Sequence, residues 1–319
     1  MRILITGVAG FIGSNLAEYH LNKGDIVYGV DDLTSGAEVN IQQFNSNPHF
    51  RFVKNDIITW PQIEKYVIWS DRIYHMAAIV GVYRVLKEPE RVLAINIAGC
   101  ERLLRSVKNC DWKPQVLIAS SSEVYGPSEK SQFSENDNLI IECEAKNRWN
   151  YPVSKLADEA LGLAYFRKFD IPTIMVRLFN TVGPRQTGRY GMVLPNFINQ
   201  AINNQPITVF GDGEQTRSFC DVRDLVVMLD KLASNEKSAG EILNVGNDEE
   251  ITINQLAEKV KKIANSSSEI KHVSYEEAYG EPYVDTRRRK PDLKKLLSFI
   301  DNKFEWPLEK TIKNLIENS

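Results

Sequence analysis

Tyr151 and Lys155 stand four residues apart in Tyr151-Pro152-Val153-Ser154-Lys155, so on a helix the phenol and the ammonium share a face. A tyrosine of pKa about 10 is a poor base near neutrality. An ammonium one turn away favours the phenolate, and so does a helix N-terminus, where Pro152 suits the first turn. That chemistry is proton removal from a hydroxyl. The second reactive pattern is Gly7-Val8-Ala9-Gly10-Phe11-Ile12-Gly13, directly after the apolar run Ile3-Leu4-Ile5 and opening an amphipathic segment. Its spacing leaves no Cβ where a turn is tight, where backbone meets phosphate, and where a helix packs on a strand. A dinucleotide pyrophosphate fits such a helix N-terminus. Asp31 ends the next apolar run, where a carboxylate hydrogen-bonds ribose hydroxyls and repels a 2′-phosphate; the cofactor expected is NAD rather than NADP. Asp56 follows the third run and suits either the adenine amino group or a solvated turn.

These residues need a scaffold that brings strand ends and helix starts together. Met1–Thr6, Asp25–Val30, His49–Val53, Arg72–His75, Gln115–Ala119 and Thr173–Arg177 read as strands. Phe11–Lys23, Pro89–Cys110 and Pro152–Phe169 read as helices, the first stopped by Gly24. Such alternation predicts an α/β fold, a doubly wound parallel Rossmann sheet, with a smaller C-terminal α/β substrate domain. The boundaries expected are 1–179 plus about 215–245 for the cofactor domain, and 180–214 with 246–319 for the other. In the latter, Val209-Phe210 runs into a turn at Gly211-Asp212-Gly213, Glu241–Val245 is a strand, and Thr252-Ile253-Asn254-Gln255 opens a helix through Ile263.

Composition narrows the partners. With 319 residues, 43% of them hydrophobic, the chain can bury one large core or two coupled ones. A net charge of −3 argues against a nucleic-acid partner, and no apolar run is long enough for a membrane span. Cys100, Cys110, Cys143 and Cys220 show neither metal-ligand nor disulfide-framework spacing, so reduced thiols and no metal are expected. With a strand beginning so near Met1, a soluble cytoplasmic protein without a signal peptide is expected.

Taken together, Gly7/Gly10/Gly13, Asp31, Ala119-Ser120-Ser121-Ser122-Glu123-Val124-Tyr125-Gly126, Tyr151/Lys155 and Arg177-Leu178-Phe179-Asn180-Thr181-Val182-Gly183-Pro184-Arg185 resemble the extended short-chain dehydrogenase/reductase family. The closer resemblance is to its NAD-dependent nucleotide-sugar epimerases and decarboxylases. It runs on through Gly211–Phe219 and Asn244–Asn247. The resemblance implies that C4 of a UDP-sugar or other nucleotide sugar is oxidised by tightly held NAD while Tyr151 takes the O4 proton. Ser121 would hydrogen-bond the developing carbonyl, and Lys155 would hold the nicotinamide ribose. It also implies cofactor contacts at Phe11, Ile12, Asp32, Ile57, Ala77 and Asn96. Substrate contacts fall at Asn180, Val193, Arg217 and Arg289, and the long helices pair into a homodimer. Arg287, Arg288 and Lys290 read as a solvated run.

Ser121-Ser122-Glu123 discriminates among members. Sugar 4,6-dehydratases of this family carry Asp where Ser122 stands, which argues against dehydration. UDP-glucuronate decarboxylases carry Thr-Ser-Glu before Val-Tyr-Gly and an Arg-rich segment before a Pro near the C-terminus, and Ser122, Glu123 and Arg289 fit that description. Asn150-Tyr151-Pro152 and Gly183–Met192 look more like the epimerases, so a 4-epimerase is the leading expectation and the decarboxylase the alternative. A non-catalytic NAD-binding scaffold is the minor alternative, since such proteins usually lose the Tyr or Lys.

Overall fold

The computed structural model describes residues 1–128, 130–141, 149–188, 191–279 and 286–319, with the side chains of Val82 and Tyr83 outside the description. Seven parallel strands form its central sheet: β1 (Arg2–Thr6), β2 (Ile26–Asp31), β3 (Phe50–Lys54), β4 (Arg72–His75), β5 (Gln115–Ser121), β6 (Thr173–Leu178) and β7 (Ile242–Val245). Their order is β7-β6-β5-β4-β1-β2-β3. The strands are nearly continuous apolar runs because both faces are covered. Ile3 and Ile5 face one side, against Leu16 of helix α1 (Phe11–Asn22) and Leu225 and Leu229 of a later helix, Val222–Ser234. Leu4 faces the other, with Leu103 and Leu104 of α2 (Pro89–Lys108) and Leu161 of α3 (Asn150–Phe169). The chain reverses direction across the sheet between β1 and β4, and a crevice opens outside the carboxyl ends of those strands.

The expected strands and long helices are present with shifted ends. β5 runs on to Ser121, and α3 starts at Asn150, one turn position before the tyrosine. The Thr252/Gln255 capping box is formed as read. The helix Val222–Ser234 was not legible: Leu225-Val226-Val227-Met228-Leu229 is a dense apolar run that suits a buried strand as readily as a buried helix. A separate apolar cluster joins helices Val193–Ile202, Ile253–Ile263 and Leu308–Glu317 over the parallel pair Ile207–Phe210 and Ile270–Val273. Cys100, Cys110 and Cys220 are free and buried, and Cys143 lies outside the described residues, as do Arg189 and Tyr190. No helix among the described residues is long and apolar enough to cross a membrane.

Candidate active site

A single crevice of about 890 Å³ gathers most of the residues singled out above. Its cofactor end is backbone-lined. Gly7 has φ +71°, and a Cβ there would lie 2.7 Å from the Ala77 nitrogen. A Cβ on Gly13 would lie 2.1 Å from the Gly7 carbonyl oxygen. The glycines therefore let β4, the turn and α1 close to contact distance, and Gly10 caps α1 with no side chain in the way. Asp31 closes the opposite wall: one carboxylate oxygen accepts from the Ala9 N–H at 3.0 Å and the other from Leu33 at 2.8 Å. Burial lifts the Asp31 carboxyl above its usual range, and those two N–H donors pull it back. Asp32 is spent on Thr34, accepting from its N–H and hydroxyl. Asp56 lines the crevice with Ile57 while accepting from Ile58 N–H, so the turn carboxylate and the crevice-facing one are the same group.

At the other end, β5 delivers Ser121, Ser122 and Glu123, α3 delivers Tyr151 and Lys155, and the segment after β6 delivers Asn180. The Ser121 Oγ accepts from Glu123 N–H at 3.2 Å, which fixes the start of a short 3₁₀ turn and leaves its own proton to donate. Burial pushes the Tyr151 phenol above its ordinary value; the Lys155 charge and a Ser121 hydrogen bond oppose that, while Glu123 and Asp158 add to it. The expected direction from Lys155 holds, but in the protein alone burial outweighs it. Lys155 is itself buried and paired with Asp158 at 3.1 Å. The Arg289 guanidinium faces the Glu123 carboxylate at 3.6 Å, both groups lining the crevice.

Three residues singled out in the sequence are not in the lining. Asn96 is buried behind it: its amide oxygen accepts from Ile79 N–H at 2.7 Å and its NH₂ donates to Ser154 Oγ, tying α2 to the first turn of α3. Val193 begins the next helix, and the crevice takes its neighbour Met192 instead. Arg217 is buried with Nη1 donating to the carbonyls of Thr216 and Thr286. The basic run divides: Arg287 and Arg288 are exposed and pair with Asp212 and Glu250, while Arg289 turns inward. Two contributors went unread. Arg185 lines the crevice at φ +69° and donates to Ser14 and Glu18 of α1. Asp158 lies three residues after Lys155, and that helical spacing was the available signal.

The cradle without Cβ atoms and the carboxylate at the end of β2 fit NAD, whose pyrophosphate Gly7–Gly13 would hold and whose adenosine ribose Asp31 would meet. With a phenol, an ammonium and a serine converging beside that cradle, the molecule is an NAD-dependent enzyme on a Rossmann sheet. Residues 3–246 match the model of the NAD dependent epimerase/dehydratase family, and the chain belongs to that family. It is 35% identical over 98% of its length to a UDP-N-acetyl-alpha-D-glucosaminuronate decarboxylase of Bacillus cytotoxicus, covering 97% of that protein. It is 34% identical over 92% of its length to UDP-glucuronic acid decarboxylase 1 of Arabidopsis thaliana, of which it spans 64%. Its fold matches the structure of UDP-glucuronic acid 4-epimerase from Bacillus cereus in complex with UDP-glucuronic acid and NAD, with TM-score 0.87, 28% identity, and coverage of 100% of this chain and 99% of that one.

Proposed function

We propose that this protein oxidises a UDP-hexuronate at C4 and releases its carboxyl group as CO₂. The observation that carries the reading is the Glu123–Arg289 pair, 3.6 Å apart in the wall shared with Ser121, Ser122 and Tyr151. A guanidinium fork suits a sugar carboxylate. The same carboxylate then lies against Glu123, whose charge disfavours an anion and favours departure of neutral CO₂. The two decarboxylase relatives support this choice over the epimerase that the sequence motifs alone favoured. NAD, when bound, supplies a reversible two-electron oxidation at C4. Tyr151 removes the O4 proton, with Lys155 stabilising the phenolate. Ser121 donates to O4 as it becomes a carbonyl oxygen. A ketone at C4 is β to the carboxylate, so when the C5–C6 bond breaks its electron pair flows onto O4, where Ser121 and Tyr151 hold the charge. C5 then takes up a proton, and return of the hydride to C4 with the Tyr151 proton to O4 gives the UDP-pentose and restores the oxidised cofactor. Asn180 serves the nucleotide diphosphate in this reading, while Arg217, outside the crevice lining, braces the carbonyls of Thr216 and Thr286. Two copies pair through α2 and α3, which light scattering in solution checks.

The full-length match to a 4-epimerase that binds UDP-glucuronic acid favours a second reading, in which the same ketone is reduced on its other face and the carboxylate stays. Incubation with UDP-glucuronate, UDP-N-acetylglucosaminuronate and UDP-glucose, each with catalytic NAD, separates them by NMR. Stoichiometric CO₂ with a UDP-pentose product is the expected result. A C4-inverted acid without CO₂ would install the epimerase, and turnover of UDP-glucose alone would sink both.

A further inference from the structure

Lys155 carries a charge into a place with almost no solvent. Its side chain is 3% exposed, and Asp158, its ion-pair partner, is 0% exposed. A buried ammonium without an anion gives up its proton readily. The other groups around it do not supply that anion. Glu159, next on α3, is committed to Arg177 through two bonds of 2.9 and 2.8 Å. His75 of β4 is buried, its Nδ1 on Thr6, and desolvation pulls it down to about 3, so it is neutral. The Cys100 thiol of α2 lies beside Asp158 and is kept protonated by burial; burial also raises the Asp158 carboxyl itself, and Lys155 and that thiol pull it back. Glu123 faces Arg289, and Tyr151 is an anion only as the phenolate that Lys155 is itself needed to stabilise. Among the described residues Asp158 remains as the carboxylate already in place beside the ammonium, and its Oδ1 is buried without a hydrogen-bond partner among them.

We propose that Asp158 is the positioning residue for Lys155: one turn along α3, it keeps the ammonium charged and fixed near Tyr151 as the crevice dries around its ligands. The orphaned oxygen fits this role. A carboxylate with one lone-pair face unspent is costly to bury, and the ion pair is what recovers part of that cost. Burial draws the Lys155 ammonium down, and the Asp158 charge, with Tyr151, more than offsets it. The same anion also opposes the phenolate of Tyr151, so Asp158 secures the lysine at some expense to the base.

The inference rests on Tyr151 and Lys155 acting as the acid/base pair, and its test is built to survive the loss of that reading. In the full-length enzyme with bound NAD, the Lys155 ammonium is titrated by ¹⁵N NMR, its signal assigned with Lys155→Met. The pH–rate profile is measured alongside. Asp158→Asn keeps shape and hydrogen bonding but removes the charge. We expect the Lys155 midpoint and the alkaline limb of kcat to move down together by about one pH unit or more, and Asp158→Glu to recover part of the shift. Should the asparagine variant not fold, Asp158→Ser is read the same way. A lower Tm and a uniformly lower kcat, with both midpoints unmoved, would overturn the proposal by reducing Asp158 to a packing role. Failure to turn over any UDP-sugar would defeat the functional reading while leaving the titration decisive for Asp158.

Discussion

The two ends of the central sheet both bury charge, and they do it differently. At the amino ends of the strands, Asp230 of the helix Val222–Ser234 accepts from Arg72 of β4 at 2.5 Å, from Lys23 at 2.6 Å and from Tyr19 at 2.9 Å. Beside it His20 bridges Asp25 at 2.8 Å and the Tyr74 hydroxyl at 3.1 Å. Each carboxylate there is consumed by cations and donors of the protein itself. At the carboxyl ends, Asp31, Glu123, Tyr151 and Arg289 line an open crevice. Buried charge at the closed end holds elements together. At the open end the pairs behind the wall, Lys155–Asp158 and Arg177–Glu159, are closed in the same way, while the groups in the wall itself face the crevice.

That contrast is open to attack at both ends. The largest effect belongs to the closed end: Asp230→Asn leaves the buried Arg72 without its counter-charge and is expected to cost about 3–5 kcal/mol of stability. Rates at saturating substrate should be unchanged in whatever remains folded. Denaturant unfolding checks it, and a loss in kcat without a loss in stability would erase the contrast. The pH dependence has a definite sign. Burial raises the Asp230 carboxyl, but Lys23, His20, Tyr19 and Arg72 together leave it below its ordinary value. Its contribution is therefore present above the unfolded carboxyl pKa of about 4 and fades as the pH falls below it. The gap between the Asp230→Asn variant and the unmodified protein should narrow in acid.

At the open end, Tyr151→Phe should leave Tm and NAD affinity in place and slow turnover by at least about 10²-fold, the lower bound for a positioned proton-transfer group. Near-normal turnover would remove the phenol from the chemistry. Next in size, Gly13→Ala forces a methyl group against the Gly7 carbonyl and should cost about 1–3 kcal/mol, with NAD affinity falling too. Calorimetry that finds NAD binding intact would move the cofactor away from the glycine turn. The smallest effect is a change of preference: Asp31→Ala should narrow the NAD-over-NADP margin by about tenfold, roughly 1.4 kcal/mol. Equal affinity of the unmodified protein for both cofactors would show that the Asp31 carboxylate is wholly spent on Ala9 and Leu33.

The sequence by itself determined the parts that depend on neighbours along the chain. Gly7, Gly10 and Gly13 lie between one strand and the helix that follows it, Asp31 ends the next strand, and Tyr151 and Lys155 share one helix turn; spacing of that kind is set by local backbone geometry. Alternating strands and helices likewise fixed a parallel doubly wound sheet. Tertiary structure decided what long-range pairing brings together. Arg289 meets Glu123 because the strand Arg288–Arg289 pairs with Thr216–Ser218 in a register that turns Arg289 inward and its neighbours out. Asn96 left the crevice for Ser154 because α2 packs on α3, and Met192 took the place expected of Val193. The competition on Tyr151 was decided there too: Lys155 was visible as a cation one turn away, but the burial opposing it, and the Asp158 charge that Lys155 must share, exist only once the helices close over the sheet.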